Sequence, residues 1–439
     1  MMPRAALMKL SQFTLPIVVF AVSIGLSSIH PNSLSSSPQG HALAGEMEKS
    51  PLANLPSEPR SHVAKLQALG DDEWIKLDTP EGDPVWGRAR GRAWGGRALV
   101  LVPELRGAFF YGEGVHAFVK PDGHMMDDLW FYDINANRWI AIYPGTNTET
   151  FSAQVKKGDL KLDGNGQLND KNGNLVPVHP LIHAWDFLTY DSQSRKFTFI
   201  AGRGFGRFFI GNEAKMEEGL KLLETQLTTK SPRPMSPWFY DIASGKFERY
   251  PVNMATPDVG NYANFQFAKS RNQYFYGGYN GVAYFDPVAR KWTIAKDSGP
   301  RPRGYDHGGT YDSKRNRIYM SAGVSDPTGS FLAYDLNLEA WTKPNQSGAP
   351  RGLSTNDASI FYDVKNDVVT VFQYLEKKIY TYVPGADTWS HRDFPANVLA
   401  STAYPAFSAF YDPELNVAFV YAATDSMDNG VMWAYRYKK

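Results

Sequence analysis

FYDINANRW (131–139) recurs in variant form along the chain as a tyrosine, an aspartate, a short turn, and an aromatic residue that begins a strand. The same pattern returns in FYDIASGKF (239–247), YFDPVARKW (284–292), AYDLNLEAW (333–341) and TYVPGADTW (381–389). A second set lies between these copies, in TYDSQSRKF (189–197), TYDSKRNRI (310–318), FYDVKNDVV (361–369) and FYDPELNVA (410–418). The later copies are about 45–49 residues apart, and a period of this size is typical of β-propellers and solenoids.

The composition favours many short strands that are joined by turns. Aromatic residues make up 14% of the chain and charged residues 21%, with 38 Gly and 29 Pro, which does not suit a helical bundle. The formal net charge of +1 gives no bulk attraction to nucleic acid or to a membrane surface. The chain has no cysteine, and this excludes disulfides, thiolate metal sites and cysteine nucleophiles.

The first residues have the order of a secretory signal. Arg4 and Lys9 precede the apolar run Phe13 to Leu26, and Ala42-Leu43-Ala44 follows a Ser/Pro-rich stretch. This order predicts a signal peptide at 1–44 and a secreted or periplasmic protein, with an uncleaved N-terminal anchor as the alternative. Residues 45–72 are interpreted as a linker and 73–439 as one propeller.

Each repeat is interpreted as four strands, a to d, which form one blade. In blade 4, strand a lies near His307–Tyr311, b at Arg317–Ala322, c at Ser330–Tyr334, and d begins at Trp341. The last repeat ends with strand c in MWAYRY (432–437), while EWIKLD (73–78) is a d strand without a blade. Joining the two closes a ring of six and removes exposed sheet edges. The predicted blades are 88–143, 176–252, 260–297, 303–344, 354–394, and 402–439 with 73–78.

A pair of small residues follows strand b in several blades: Ala201-Gly202, Gly277-Gly278, Ala322-Gly323 and Ala422-Ala423. In this pair, in the aromatic-Asp turn and in the tryptophan of strand d, residues 73–439 resemble kelch-repeat β-propellers, the superfamily of the galactose oxidase central domain. The resemblance implies an all-β, six-bladed kelch-type β-propeller closed by an N-terminal strand. The copper–radical site of galactose oxidase needs a Tyr–Cys crosslink, which this chain cannot form. A metal site from His116, His124 and His307 on neighbouring loops is the alternative, and the prediction is no cofactor and no metal.

The alternating strand direction sorts the connections onto two faces. The a–b and c–d turns lie on one, the turn face, and the b–c and d–a connections lie on the other, the loop face. We expect the turn-face aspartates to accept backbone N–H groups, and the strand-d tryptophans to pack between blades. These residues are Asp133, Asp191, Asp241, Asp286, Asp312, Asp335, Asp363, Asp412, Trp139, Trp292, Trp341 and Trp389.

The loop face carries the long insertions, in blades 1 and 2. They are predicted at 113–128, 143–181 and 203–236, and the last includes a short helix at Asn212–Leu227. Binding residues usually lie on such loops. Four residues are candidates for acid–base catalysis, namely His183, His307, Tyr305 and Tyr262. Nine are candidates for ligand binding: Arg203, Arg207, Arg303, Arg351, Asn261, Asp306, Asn356, Asp357 and Tyr404.

The arginines indicate an anionic partner, because a guanidinium matches carboxylate, sulfate or phosphate with two parallel hydrogen bonds. The alternative is an internal salt bridge to Asp306, Asp326 or Asp357. A basic run at Arg88, Arg90, Arg92 and Arg97 is interpreted as a solvated loop, and the calcium-like stretch 162–177 as tight turns.

Three hypotheses for the function follow. The first is an exported propeller that binds an anionic glycan or peptide in the funnel of the loop face. The second is a carbohydrate-active enzyme, a lyase or an epimerase, that uses the His and Tyr residues of the same funnel. The third is an envelope scaffold for protein–protein interactions. None involves nucleic acid, or a membrane beyond the signal segment.

Overall fold

The computed structural model describes more than half of the chain and includes strands of each predicted blade. The described residues are 50–92, 99–111, 128–145, 148–163, 167–176, 187–200, 237–249, 257, 259, 263–304, 307–321, 323, 326, 329–351, 353, 358–399, 406–423 and 428–439. They contain six four-stranded antiparallel sheets and one two-stranded hairpin. The six sheets belong to one compact unit, Lys49–Lys439.

The chain enters the fold through helix α1 (Ser61–Ala68) and strand β1 (Glu73–Lys76). Blade 1 contains β2 (Leu99–Val102), β3 (Gly107–Tyr111), β4 (Leu129–Asp133) and β5 (Arg138–Tyr143). The insertion after it contains α2 (Thr148–Lys157) and a hairpin of β6 (Leu160–Leu162) and β7 (Leu168–Asp170). Blade 2 contains β8 (Leu188–Asp191), β9 (Lys196–Ile200), β10 (Pro237–Asp241) and β11 (Lys246–Arg249).

Blades 3 to 6 follow the same order from the centre outwards. Blade 3 contains β12 (Asn264–Ala268), β13 (Gln273–Gly278), β14 (Gly281–Asp286) and β15 (Lys291–Ile294). Blade 4 contains β16 (Gly309–Asp312), β17 (Arg317–Ser321), β18 (Phe331–Asp335) and β19 (Ala340–Thr342). Blade 5 contains β20 (Ala358–Asp363), β21 (Val368–Gln373), β22 (Lys378–Val383) and β23 (Thr388–Asp393). Blade 6 contains β24 (Ala406–Asp412), β25 (Val417–Ala423), β26 (Val431–Arg436) and β1.

The six sheets form a closed ring. Each innermost strand contacts the innermost strand of the next blade, and β24 of blade 6 contacts β2 of blade 1. The predicted six-bladed, all-β propeller is therefore confirmed, with insertions in blades 1 and 2.

The ring is closed by an N-terminal strand, as predicted. β1 lies antiparallel to β26, and Trp74 is opposite Tyr435. The Trp74 ring centroid is 4.7 Å from that of Tyr435 and 5.4 Å from those of Phe372 and Phe394. The two ends of the chain thus complete one blade, and its outer strand packs on blade 5.

The Tyr-Asp repeat is explained by the geometry of the turn. In blade 4, the Asp312 carboxylate accepts the N–H groups of Lys314 and Arg315 at 2.9 and 3.0 Å. Four residues after the aspartate, Asn316 is left-handed with φ of 57°, and its side-chain oxygen accepts the Tyr311 hydroxyl at 3.0 Å. The predicted structural role is confirmed for all eight aspartates, since each accepts a backbone N–H.

The strand-d tryptophans pack against neighbouring blades, which confirms the second structural prediction. The ring centroid of Trp139 is 5.0 Å from that of Tyr421 in blade 6. Trp389 contacts Phe331 of blade 4, with centroids 4.9 Å apart. Trp341 and Trp292 likewise contact hydrophobic clusters that are shared with the preceding blade.

The described part of the expected linker, residues 50–72, packs on the propeller. Leu52 and Leu66 are buried in two hydrophobic clusters together with blade residues. The buried Arg436 of β26 donates hydrogen bonds to the carbonyl oxygens of Leu66 and Gln67 at 2.9 and 3.1 Å. These carbonyls lie in the last turn of α1, where the helix supplies no N–H four residues on, and the Leu66 oxygen also accepts the Leu69 N–H at 3.4 Å. Described residues include no helix with the length and apolar character of a membrane span.

The turn face is cross-linked by polar contacts between blades. The strongest joins blade 1 to blade 6, where Arg106 donates to both Asp412 oxygens at 2.8 and 2.7 Å. The five other junctions carry Glu104–Arg195, Asp191–Tyr274, Arg271–Glu339, Arg315–Asp367 and Asn366–Asn416 contacts. Polar groups on this face therefore add a contact at each of the six junctions between blades.

Candidate functional site: arginines of the loop face

Three of the predicted site residues fall in the described part of the chain: His307, Arg303 and Arg351. The remaining candidates lie outside the described residues, as does the predicted helix Asn212–Leu227. They are His183, Tyr262, Tyr305, Arg203, Arg207, Asn261, Asp306, Asn356, Asp357 and Tyr404. The site can accordingly be built from three predicted residues and from the residues that the structure adds.

His307 is a buried, neutral histidine. It precedes β16 and is 0% exposed, and its Nδ1 lies 3.2 Å from the carbonyl oxygen of Ser321. Because a carbonyl only accepts, Nδ1 carries the proton and Nε2 is the bare nitrogen. Burial lowers the pKa of His307 to about 4, so the ring is uncharged at neutral pH. A catalytic acid or base works best with a pKa near the operating pH, which His307 does not have.

Arg303 and Arg351 lie on the d–a connections into blades 4 and 5. The backbone oxygen of Arg303 accepts the N–H of Gly323 at 3.1 Å, which ties this connection to the b–c loop of blade 4. Both arginines are exposed, and neither forms an ion pair with a described residue. Of the alternative salt bridges, the one from Arg303 to Asp326 is not formed, and Asp306 and Asp357 lie outside the described residues. The two guanidinium groups are open to a ligand.

Most other described arginines have a carboxylate partner within 4 Å. This set comprises Arg60, Arg90, Arg92, Arg106, Arg138, Arg195, Arg271, Arg301, Arg315, Arg317 and Arg392. Described arginines without a carboxylate partner are thus a minority, and two of them, Arg303 and Arg351, lie where a ligand site was predicted.

Sequence reasoning missed one further arginine of the loop face. Arg249 ends β11, the outer strand of blade 2, and lies opposite Trp238 of β10. Its guanidinium carbon is 5.0 Å from the centre of the Trp238 ring. Burial lowers the pKa of Arg249 to about 10. Counting the two strands back from the turn at Asp241 pairs these residues, so the sequence did contain a signal for the stack.

The basic run at 88–97 is not a solvated loop at Arg92, and that interpretation is wrong for this residue. Arg92 is 1% exposed, and its guanidinium lies 3.2 Å from the Asp128 carboxylate and 4.6 Å from the centre of the Phe110 ring. The Trp130 indole N–H also donates to Asp128, at 2.6 Å. An aromatic floor and a buried carboxylate therefore hold Arg92 inside the blade 1–blade 6 junction.

The described residues offer little to a metal ion. They contain no group of three or more His, Asp or Glu side chains that could hold one. In the calcium-like stretch, β6 and β7 form a hairpin, and the Asp170 carboxylate accepts the N–H groups of Asn172 and Asn174 at 2.9 and 2.8 Å. The described part of this stretch is a set of turns, as interpreted from the sequence.

Comparison with known proteins gives distant structural matches and no family. No protein-family model matches the chain, and no curated protein does. Among solved structures, the chain is similar to a structural genomics protein of unknown function from Bacteroides thetaiotaomicron. The two are 8% identical with a TM-score of 0.45, over 84% of this chain and 73% of that one. A similarity at this level gives no information on a ligand or a reaction.

Proposed function

We propose that this protein binds an anionic ligand, a glycan or a peptide, at its loop face. The observation that carries the proposal is the exposure of Arg303 and Arg351 without an ion pair to any described residue. A guanidinium presents a planar fork of N–H donors that fits a carboxylate or a sulfate with two parallel hydrogen bonds. Two such forks, on successive d–a connections, suit a ligand with more than one negative group.

The ion pairs of the turn face support a ligand site on the loop face. The turn-face arginines Arg106, Arg271 and Arg315 are engaged in ion pairs between blades. The segment 50–72 also packs against blades 1, 2 and 6, where Ser57 donates to Asp133 at 2.5 Å. These three arginines of the turn face therefore already have carboxylate partners among the described residues.

The two alternatives draw less support from the described residues. His307 is shielded from solvent and has a lowered pKa, which does not favour the lyase or epimerase. A scaffold would expose a continuous apolar patch. Apart from the adjacent Val85 and Trp86, the exposed large apolar side chains of the described residues lie singly on separate turns and strand ends, and isolated surface hydrophobics are normal. They are Val288, Ile294, Leu338, Val364 and Leu375.

We further propose that the propeller is of the kelch type and is exported, to the periplasm or the medium, after removal of residues 1–44. The kelch assignment is supported by the Tyr-Asp turns and by the glycine pair that ends β13. A Cβ atom at Gly278 would lie 2.6 Å from the carbonyl oxygen of Val259, so this position needs glycine. The export proposal is supported by the order of charged, apolar and small residues before Ala44.

Titration with defined polyanions tests the binding proposal. Polygalacturonate, dextran sulfate, poly-glutamate and neutral dextran are added to the exported chain at about 50 mM and about 300 mM salt, a range over which the screening length shortens. We expect a polyanion to bind and the neutral dextran not to bind. Arg303→Ala and Arg351→Ala should each weaken binding about fivefold and flatten its salt dependence, as expected for charges at an interface.

Lys365→Ala is the matched control, since it removes one exposed positive charge from a turn of the turn face. It should leave the affinity unchanged. Equal affinity of the wild type and both arginine variants would discard the proposal. Unsaturated uronate ends, detected by ultraviolet absorbance in the same mixtures, would instead support the lyase.

A further inference from the structure

We infer that Arg249, stacked on Trp238 at the loop-face end of blade 2, is a further anion subsite that binds a carboxylate or sulfate group of an acidic polysaccharide. The inference deepens the proposed function and rests on it. It adds a residue outside the predicted site and narrows the class of ligand.

The stack holds the guanidinium in a fixed place. Trp238 is 3% exposed, and its ring is nearly parallel to that of Phe199, with centroids 5.9 Å apart and planes at 6°. The Arg249 guanidinium lies over the Trp238 ring, across the β10–β11 ladder. Its Nε is shielded from solvent and has no hydrogen-bond partner, while the residue as a whole is only half-buried. A guanidinium that stacks on a ring keeps the N–H donors in its own plane available for an anion.

The other ring-stacked arginines show what is missing at Arg249. Three more lie over aromatic rings in the described residues, and each also has a carboxylate partner. The sets are Arg92 with Phe110 and Asp128, Arg271 with Tyr284 and Glu339, and Arg392 with Tyr437 and Asp72. Arg249 alone among the four makes no ion pair with a described residue. Three of the four ring-stacked arginines thus have a carboxylate partner among the described residues, and Arg249 does not.

Electrostatics favours an anion at this position. Desolvation lowers the pKa of Arg249 to about 10, which still leaves it charged at neutral pH. A positive charge that is partly removed from water and not compensated destabilises the fold, and an opposite charge with good hydrogen-bond geometry reverses this effect. A ligand oxyanion would therefore gain more from Arg249 than from a fully hydrated guanidinium.

The position of Arg249 favours a polymer as the ligand. The outer strand of blade 2 ends at Arg249, and the outer strands of blades 3 and 4 are followed by Arg303 and Arg351. The topology places all three arginines on the loop face. A chain with repeated anionic groups can reach several of them. Arginine clusters also bind acidic peptides, but these three guanidinium groups lie on three successive blades, which suits a polymer that carries an anionic group on each of its repeats. This favours an acidic polysaccharide.

The test compares two ring-stacked arginines. Arg249→Gln removes the charge that has no partner, and Arg271→Gln, the matched control, removes one that is paired with Glu339 on the turn face. Affinity for polygalacturonate, dextran sulfate and poly-glutamate is measured for the full exported chain, together with Tm. We expect Arg249→Gln to weaken polysaccharide binding about tenfold, to flatten its salt dependence, and to leave Tm unchanged or raised. Arg271→Gln should lower Tm and leave the affinity unchanged.

Each outcome decides a separate point. If the wild type binds and Arg249→Gln binds equally well, the subsite is wrong and the proposed function stands. If the wild type binds none of the polymers, the proposed function fails and the subsite fails with it. A drop in Tm for Arg249→Gln without a loss of affinity would give Arg249 a structural role and overturn the inference. Stronger binding of poly-glutamate would replace the polysaccharide with an acidic peptide, and the two polysaccharides distinguish carboxylate from sulfate.

Discussion

His307 makes the stability of the propeller depend on pH in a defined window. Its pKa is about 4 in the fold and about 6.5 in an unfolded chain. The unfolded state therefore binds the proton more readily. The contribution of the neutral histidine to the free energy of unfolding is fully present above about pH 6.5 and is lost as the pH falls towards 4. From these two pKa values, the free energy of unfolding falls by about 2 kcal/mol between pH 7 and pH 5. The whole loss, once His307 is protonated in both states, is about 3 kcal/mol.

Urea unfolding at pH 7 and pH 5 measures this effect. His307→Asn keeps a donor towards the Ser321 carbonyl oxygen and removes the titrating ring. The variant should therefore lose about 2 kcal/mol less stability than the wild type between the two pH values. His391→Asn, at an exposed histidine of β23, is the control and should keep the wild-type dependence. If the wild type and His307→Asn lose the same free energy of unfolding, the histidine is neither buried nor neutral in the way described.

Three further changes test the closure of the ring and its turns by urea unfolding at pH 7. Arg106→Ala should cost about 3 to 5 kcal/mol, because it leaves Asp412 buried without its partner, and a loss below about 1 kcal/mol would contradict the buried pair. Trp74→Ala removes the aromatic contact that joins β1 to Tyr435 and should cost about 2 to 3 kcal/mol; no loss would mean that β1 does not close the ring. Asn416→Ala should cost about 1 to 2 kcal/mol, since it places alanine at a φ of 55° and removes a hydrogen bond, and a neutral effect would refute the account of the turn.

The fold was predictable because its repeat is a local pattern. The Asp312 carboxylate accepts the N–H groups two and three residues ahead of it, and Asn316, four residues after the aspartate, takes the left-handed position. Because these contacts join residues close in sequence, they require the same residue types at the same spacing in each blade. The packing of residues 50–72 was missed because Leu66 and Arg436 lie far apart in sequence. Nothing in the local pattern distinguishes their buried contacts from a linker.

The candidate site was predictable only in its location. Strand direction places Arg303 and Arg351 on the loop face without any knowledge of side-chain contacts. Whether an arginine has a carboxylate partner depends on the three-dimensional arrangement, so Arg92 was taken as solvated and Arg249 was overlooked. The burial that sets the pKa of His307 likewise arises from residues that are distant in sequence.

The most direct test is a crystal structure of the exported chain with a bound acidic oligosaccharide. We predict ligand carboxylate or sulfate groups within hydrogen-bond distance of Arg303 and Arg351, and a further group at Arg249. A ligand on the turn face, or one on the loop face that contacts none of these arginines, would contradict the proposed function.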